Sequence, residues 1–195
     1  MKRLRYSVAS SLDGFIADPH GGYDWIVNDP AIDFAAIFDQ FDTFVMGRGT
    51  FEITLTHQGD GNPMPGARTI VFSTTLRQED YPQVTIVATD PAATVRALKA
   101  GTGKDIWLFG GGVLFRNLLD AGLVDTVEVA VIPILIGGGI PLVAPGARSP
   151  VLRLTDHKVM PSGIVMLSYD VPAGRGRARR SRKEQREQPA RPRKP

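Results

Sequence analysis

Cysteine is absent from this chain of 195 residues, which excludes disulfides, thiolate metal sites and a cysteine nucleophile. Long hydrophobic runs are missing too. No stretch reaches eighteen consecutive apolar residues, so no membrane span is expected. Lys2, Arg3 and Arg5 resemble the charged start of a secretion signal, but Ser10, Ser11 and Asp13 interrupt the apolar run that would have to follow. A cytoplasmic enzyme or binding protein is therefore expected. The three histidines, His20, His57 and His157, are scattered without ligand spacing, so no metal site is expected.

The net charge of +3 conceals an asymmetry. Residues 173–195 hold ten Lys/Arg against Glu184 and Glu187. Removing these from the totals of 23 basic and 20 acidic residues leaves 13 against 18, a net −5 for the rest of the chain. The tail has no apolar residue larger than valine and is rich in Pro and Arg, so it is expected to be a disordered basic appendage. It could neutralise phosphates of a nucleic acid. It lacks the aromatic interleaving that stacks bases, which favours a solvated appendage without a specific partner.

The remaining residues, 1–172, suit one domain with a substantial core. Apolar runs at 4–9, 43–46, 69–72, 85–87, 106–109 and 124–132 read as strands. Asp29-Pro30 and Asp90-Pro91 pair an N-cap residue with proline at the first helical position, and predict helices over 30–40 and up to Gly101. Segments 152–160 and 164–171, joined by Pro161-Ser162-Gly163, predict a C-terminal antiparallel hairpin. Strands alternating with helices imply an α/β fold around a mostly parallel central sheet.

Two strand-to-helix turns carry the functional signal. In the first, the strand at 106–109 ends in Gly110-Gly111-Gly112, and a helical apolar pattern (Leu114, Leu118, Leu119) starts at once. Backbone N–H groups can approach a ligand closely at glycine, and a helix start adds unpaired donors and a positive dipole end. The spacing matches neither G-x-G-x-x-G nor G-x-x-x-x-G-K-[ST], and a simple tight turn explains the triglycine alone equally well. In the second, Met46-Gly47-Arg48-Gly49-Thr50 repeats the arrangement with an arginine. A cation at a helix N-terminus opposes the dipole unless an anion lies between them. Ser73, Thr74 and Thr75 follow a strand on the same sheet edge and could hold a further phosphate with Arg77, although hydroxyls there are common turn chemistry.

Taken in order, Ser11-Leu12-Asp13-Gly14-Phe15-Ile16-Ala17, Met46-Gly47-Arg48-x-Thr50-Phe51, Gly110-Gly111-Gly112-x-Leu114-Phe115 and Gly122-Leu123-Val124-Asp125 resemble the dihydrofolate reductase-like superfamily. More narrowly, residues 3–171 are similar to the C-terminal reductase domain of the riboflavin-biosynthesis deaminase-reductase. The resemblance implies a three-layer dihydrofolate reductase-like fold, NADPH as hydride donor, and an activity similar to 5-amino-6-(5-phosphoribosylamino)uracil reductase. Gly47, Arg48, Thr50, Ser73 and Thr74 would hold the adenosine phosphates. Gly110, Gly111, Gly112, Val113 and Leu114 would line the pyrophosphate and nicotinamide ribose, with an unusual Gly-Gly peptide. Ala9, Asp13 and Gly14 would flank the nicotinamide, and Trp25 would close the substrate side. Asp13, Asp33 or an ordered water would deliver a proton, Asp33 being also a candidate for a plain first-turn acid. Family members dimerise through a sheet edge, and residues 127–136 are the expected homodimer strand.

The resemblance departs on the substrate side. Phe15 stands where a lysine is expected, and Tyr23-Asp24-Trp25-Ile26 where Ser-x-Trp-Ile is expected, which removes a phosphate partner for the substrate. The expected substrate is thus a small, flat C=N or C=O compound related to pyrimidines or pteridines. Two other classes stay open: a non-catalytic nucleotide-binding module of the same fold, and a nucleic-acid-associated protein acting through its tail.

Overall fold

The computed structural model describes residues 1–59, 62 and 66–172. The expected basic tail, and most of residues 60–65, lie outside the described residues. Along the chain come β1 (Leu4–Ser11), β2 (Phe15–Ala17), α1 (Phe34–Phe38), β3 (Phe41–Gly47), α2 (Arg48–Gln58), β4 (Arg68–Phe72), β5 (Thr85–Val87), α3 (Pro91–Ala100), β6 (Asp105–Gly110), α4 (Gly112–Asp120), β7 (Thr126–Ile132), β8 (Ile140–Pro141), β9 (Arg153–Val159) and β10 (Val165–Asp170).

Eight strands form one sheet in the order β5-β4-β3-β6-β1-β7-β10-β9. The pairs from β5 to β7 are parallel, and β10 is antiparallel to both β7 and β9. This is the mostly parallel sheet with a C-terminal antiparallel hairpin that the sequence predicts. Helices lie on both faces, which explains why the central strands read as unbroken apolar runs. Strand residues alternate between two cores. Val45, Ile70, Ile106 and Leu108 pack with Val95 of α3 and with Leu114, Phe115 and Leu118 of α4. Phe44, Met46, Val71 and Trp107 pack on the other side with Phe51 of α2, against Ile37 and Phe38 of α1. Tyr6 of β1 stacks on Phe115 with ring centroids 3.8 Å apart.

Three expectations are corrected. The first helix starts at Asp33, whose carboxylate accepts from Ala36 N–H at 2.9 Å. Asp29 is engaged elsewhere: it accepts from Ala31 N–H at 2.8 Å and from Ser162 N–H at 3.1 Å, tying a turn to the β9–β10 connection. The apolar runs predict no strand between residues 10 and 29, yet Phe15–Ala17 forms β2, which pairs with β8 in a small antiparallel sheet. Strand β7, the expected dimer edge, is interior, flanked by β1 and β10; the edge on that side is β9, exposed along its whole length. No helix among the described residues is long and apolar enough to cross a membrane.

Candidate active site

A cleft of about 1730 Å3 opens at the carboxyl ends of β1, β3, β4 and β6, the edge where ligands of open α/β sheets bind. The parallel register pairs Met46 of β3 with Gly110 of β6. The turns after these strands therefore stand side by side, and at Gly110 their closeness dictates glycine. A Cβ on Gly110 would lie 2.8 Å from Thr50 Oγ1, and one on Gly112 would lie 2.6 Å from the carbonyl oxygen of Pro141. The Gly110–Gly111 peptide bond is cis. Behind the triglycine, Tyr6 Oη donates to Leu142 O at 2.9 Å and Ala144 N–H to Gly112 O at 3.3 Å. Burial pushes the Tyr6 hydroxyl pKa up, so it remains a neutral donor.

The helices that follow β3 and β6 both start bare, whereas α3, whose Pro91 also lines the cleft, is capped by Asp90. α2 has Gly47 and α4 has Gly111 at the N-cap, with no side-chain cap and no acidic residue in either first turn. Their orphan N–H groups are left to water or a ligand. Arg48 begins α2; its Nη1 donates to Thr75 Oγ1 at 3.0 Å, and half of its side chain is exposed. Ser73 Oγ accepts from the N–H groups of Thr75 at 3.2 Å and Leu76 at 3.0 Å, which shapes the turn after β4. Arg77, expected to assist there, pairs instead with Glu79 at 2.7 Å and is absent from the cleft lining.

Every residue expected at the cofactor lines this cleft except Asp13 and Gly14: Ala9, Gly47, Arg48, Thr50, Ser73, Thr74 and the run Gly110-Gly111-Gly112-Val113-Leu114. The three residues expected to be catalytic do not line it. Asp13 accepts from Gly137 N–H at 2.8 Å and Ile136 N–H at 3.3 Å. The Ser11 hydroxyl and these amides hold its carboxyl below the usual range against a smaller opposing effect of burial. Gly14 O receives Leu142 N–H at 2.9 Å, so the Asp13-Gly14 loop braces the segment beyond β7. Trp25 packs against Ile132, Met160 and Ile164, with Nε1 donating to Gly22 O at 3.3 Å, and so supports the loop at 18–24. Asp33 is the cap of α1.

Sequence reasoning missed the loop that Trp25 supports. Asp18 accepts from His20 N–H at 2.7 Å and Gly22 N–H at 2.8 Å, and these amides hold its carboxyl below the usual range. A Cβ on Gly22 would meet Asp18 Oδ2 at 2.6 Å. The resulting turn sets His20, Tyr23 and Asp24 into the cleft lining. An aspartate followed by two glycines is a recognisable turn signal, and it was the available clue. Phe15, the residue in place of a lysine, pairs with Pro141 in the small sheet. Among the described residues no group of His, Asp and Glu could hold a metal ion.

The sheet order, the helices on both faces and the cleft define a protein of the dihydrofolate reductase-like fold. Dihydrofolate reductase from Enterococcus faecalis, solved with NADP(H), superposes with a TM-score of 0.62 at 20% identity, over 86% of this chain and 94% of that one. A protein from Shewanella sp. PV-4 named for riboflavin biosynthesis superposes with a TM-score of 0.72 at 28% identity, over 87% of this chain and 98% of that one. Within this class, residues 2–166 match the RibD C-terminal domain family, and the chain belongs to it. The uncharacterized protein YyaP of Bacillus subtilis (strain 168) is 29% identical over 178 residues, 86% of this chain and 94% of that protein. The chain is thus a member of a reductase family.

Proposed function

We propose that the chain is an NADPH-dependent reductase that delivers hydride to a small, flat C=N or C=O compound of the pyrimidine or pteridine kind. The observation that carries this reading is the pair of bare helix starts, α2 and α4, opening on one cleft with Arg48 beside them. Their unpaired N–H groups and dipoles suit a ligand with several phosphates, and Gly110 and Gly112 keep the wall free of side chains. The residues therefore fit a phosphorylated dinucleotide, and the NADP(H) carried by the Enterococcus neighbour supports that choice.

On this reading the amides at 112–114 and the Thr50 hydroxyl bind the pyrophosphate, while Arg48, Ser73, Thr74 and Thr75 bind the adenosine phosphate. Ala9, small and at the end of β1, leaves a flat ring room against the strand. Reduced nicotinamide supplies the hydride when bound. The chain supplies orientation and a walled site. The proton comes from Asp24 or His20, or from a water they hold, because these groups line the cleft whereas Asp13 and Asp33 are committed to backbone amides. Residues 1–172 form the reductase unit.

Titration with NADPH, following nicotinamide fluorescence, tests this directly. Saturable enhancement that weakens in Arg48→Ala is expected. Absence of binding in the wild type sinks the reading.

A further inference from the structure

Arg48 is the one lysine or arginine lining the cleft among the described residues. Any charged grip on a phosphate monoester there rests on its guanidinium. That guanidinium has a competitor. Glu52, one turn further along α2, also lines the cleft, and its Oε1 stands 3.6 Å from Arg48 Nε. Both side chains are 52% exposed, and an exposed pair of this kind adds little to stability. The order Arg then Glu, four residues apart, is also the poorer orientation for helix support. Helix stability therefore gives no strong reason for a carboxylate at this position.

The geometry points to Glu52 as a specificity-determining residue for the dinucleotide. Its carboxylate tempers the preference of Arg48 for a ribose 2′-phosphate and offers an acceptor to a free ribose 2′-hydroxyl. The cleft accepts NADH as well as NADPH, with a modest margin between them. This inference rests on the cofactor reading above. In dinucleotide sites generally, a carboxylate accepts from the ribose hydroxyl, or an arginine accommodates the phosphate. Here the two chemistries stand together on one helix face, and Arg48 is anchored from its other side by Thr75. Removing one negative charge within a Debye length of a phosphate at an exposed site changes affinity by about three- to tenfold.

The test compares Kd values for NADPH and NADH by nicotinamide fluorescence, in the wild type and in Glu52→Gln, at low and at high salt. Glu52→Gln is expected to tighten NADPH by about three- to tenfold, to leave NADH unchanged or weaker, and to lose most of this difference at high salt. Glu52→Asp, with its carboxylate drawn back by one methylene, should fall between. A parallel thermal melt registers any folding defect at this exposed position. An unchanged NADPH-to-NADH ratio in Glu52→Gln, or equal tightening of both, overturns the role of Glu52 while leaving the cofactor reading intact. If the wild type binds neither nucleotide, the cofactor reading falls and this inference with it.

Discussion

The α-helices of the described chain begin in two different ways. α1 and α3 start behind an aspartate, and in each the carboxylate accepts a backbone N–H of the first turn: Asp33 from Ala36 at 2.9 Å, Asp90 from Ala93 at 2.8 Å. α2 and α4 start behind a glycine and have no such bond. A capped helix completes its first turn from its own sequence. A bare one leaves donors unpaired, which is unfavourable unless something else uses them. The two bare starts follow neighbouring strands, β3 and β6, and share one cleft. On the cofactor reading proposed above, the bare starts are the ones whose free donors meet the ligand.

That contrast can be broken, with the largest effect expected where the cradle is filled. Gly112→Ala places a Cβ 2.6 Å from the backbone oxygen of Pro141, where no flexible side chain can give way. Overpacking of this kind costs about 1–3 kcal/mol, and NADPH affinity should fall by about ten- to a hundredfold or more, with a lower Tm. Next is Arg48→Ala. Loss of a charge-assisted contact of about 1.5–3 kcal/mol should weaken NADPH by at least about tenfold, with NADH far less affected. Capped starts should behave in the opposite sense. Asp90→Ala and Asp33→Ala should each cost about 1 kcal/mol in denaturant unfolding and leave NADPH affinity unchanged. A loss of turnover in Asp33→Ala without loss of stability would instead make that aspartate catalytic.

The smallest effect concerns acid stability. Asp29 has its carboxyl held below the usual range by the Ser162 hydroxyl first, then by the Ala31 amide, with burial opposing. A depressed folded pKa contributes stability that is present above the unfolded value, about 3.9, and is lost as pH falls through the folded one. Asp29→Asn should lower Tm slightly at neutral pH and flatten its decline below about pH 4. An equal decline in both proteins would show that Asp29 does not contribute to it.

Local signals made much of this legible. Asp90-Pro91 marks α3 because cap and proline act within one turn. The triglycine marks the cleft because glycine is demanded by close approach at 110 and 112, and Met46-Gly47-Arg48 marks it by an arginine at a helix start. What stayed hidden depends on partners distant in sequence. Asp29, followed by proline, reads as a helix start, yet its carboxylate accepts from Ser162, 133 residues away. The resemblance makes Asp13 a proton-donor candidate, yet its carboxylate accepts from amides 123 and 124 residues further on. β7 reads as an apolar edge strand until β10 covers it. The reductase family is visible in ordered motifs; the direction of a loop side chain is not.

Hydrogen exchange at the helix starts tests the central claim most directly. Addition of NADPH should slow exchange at the amides of 48–50 and 112–114, the bare starts of α2 and α4. Amides at 34–36 and 92–93, at the capped starts, should exchange as before. Unchanged exchange at both bare starts under saturating NADPH, or protection confined to regions outside the cleft, would contradict the account.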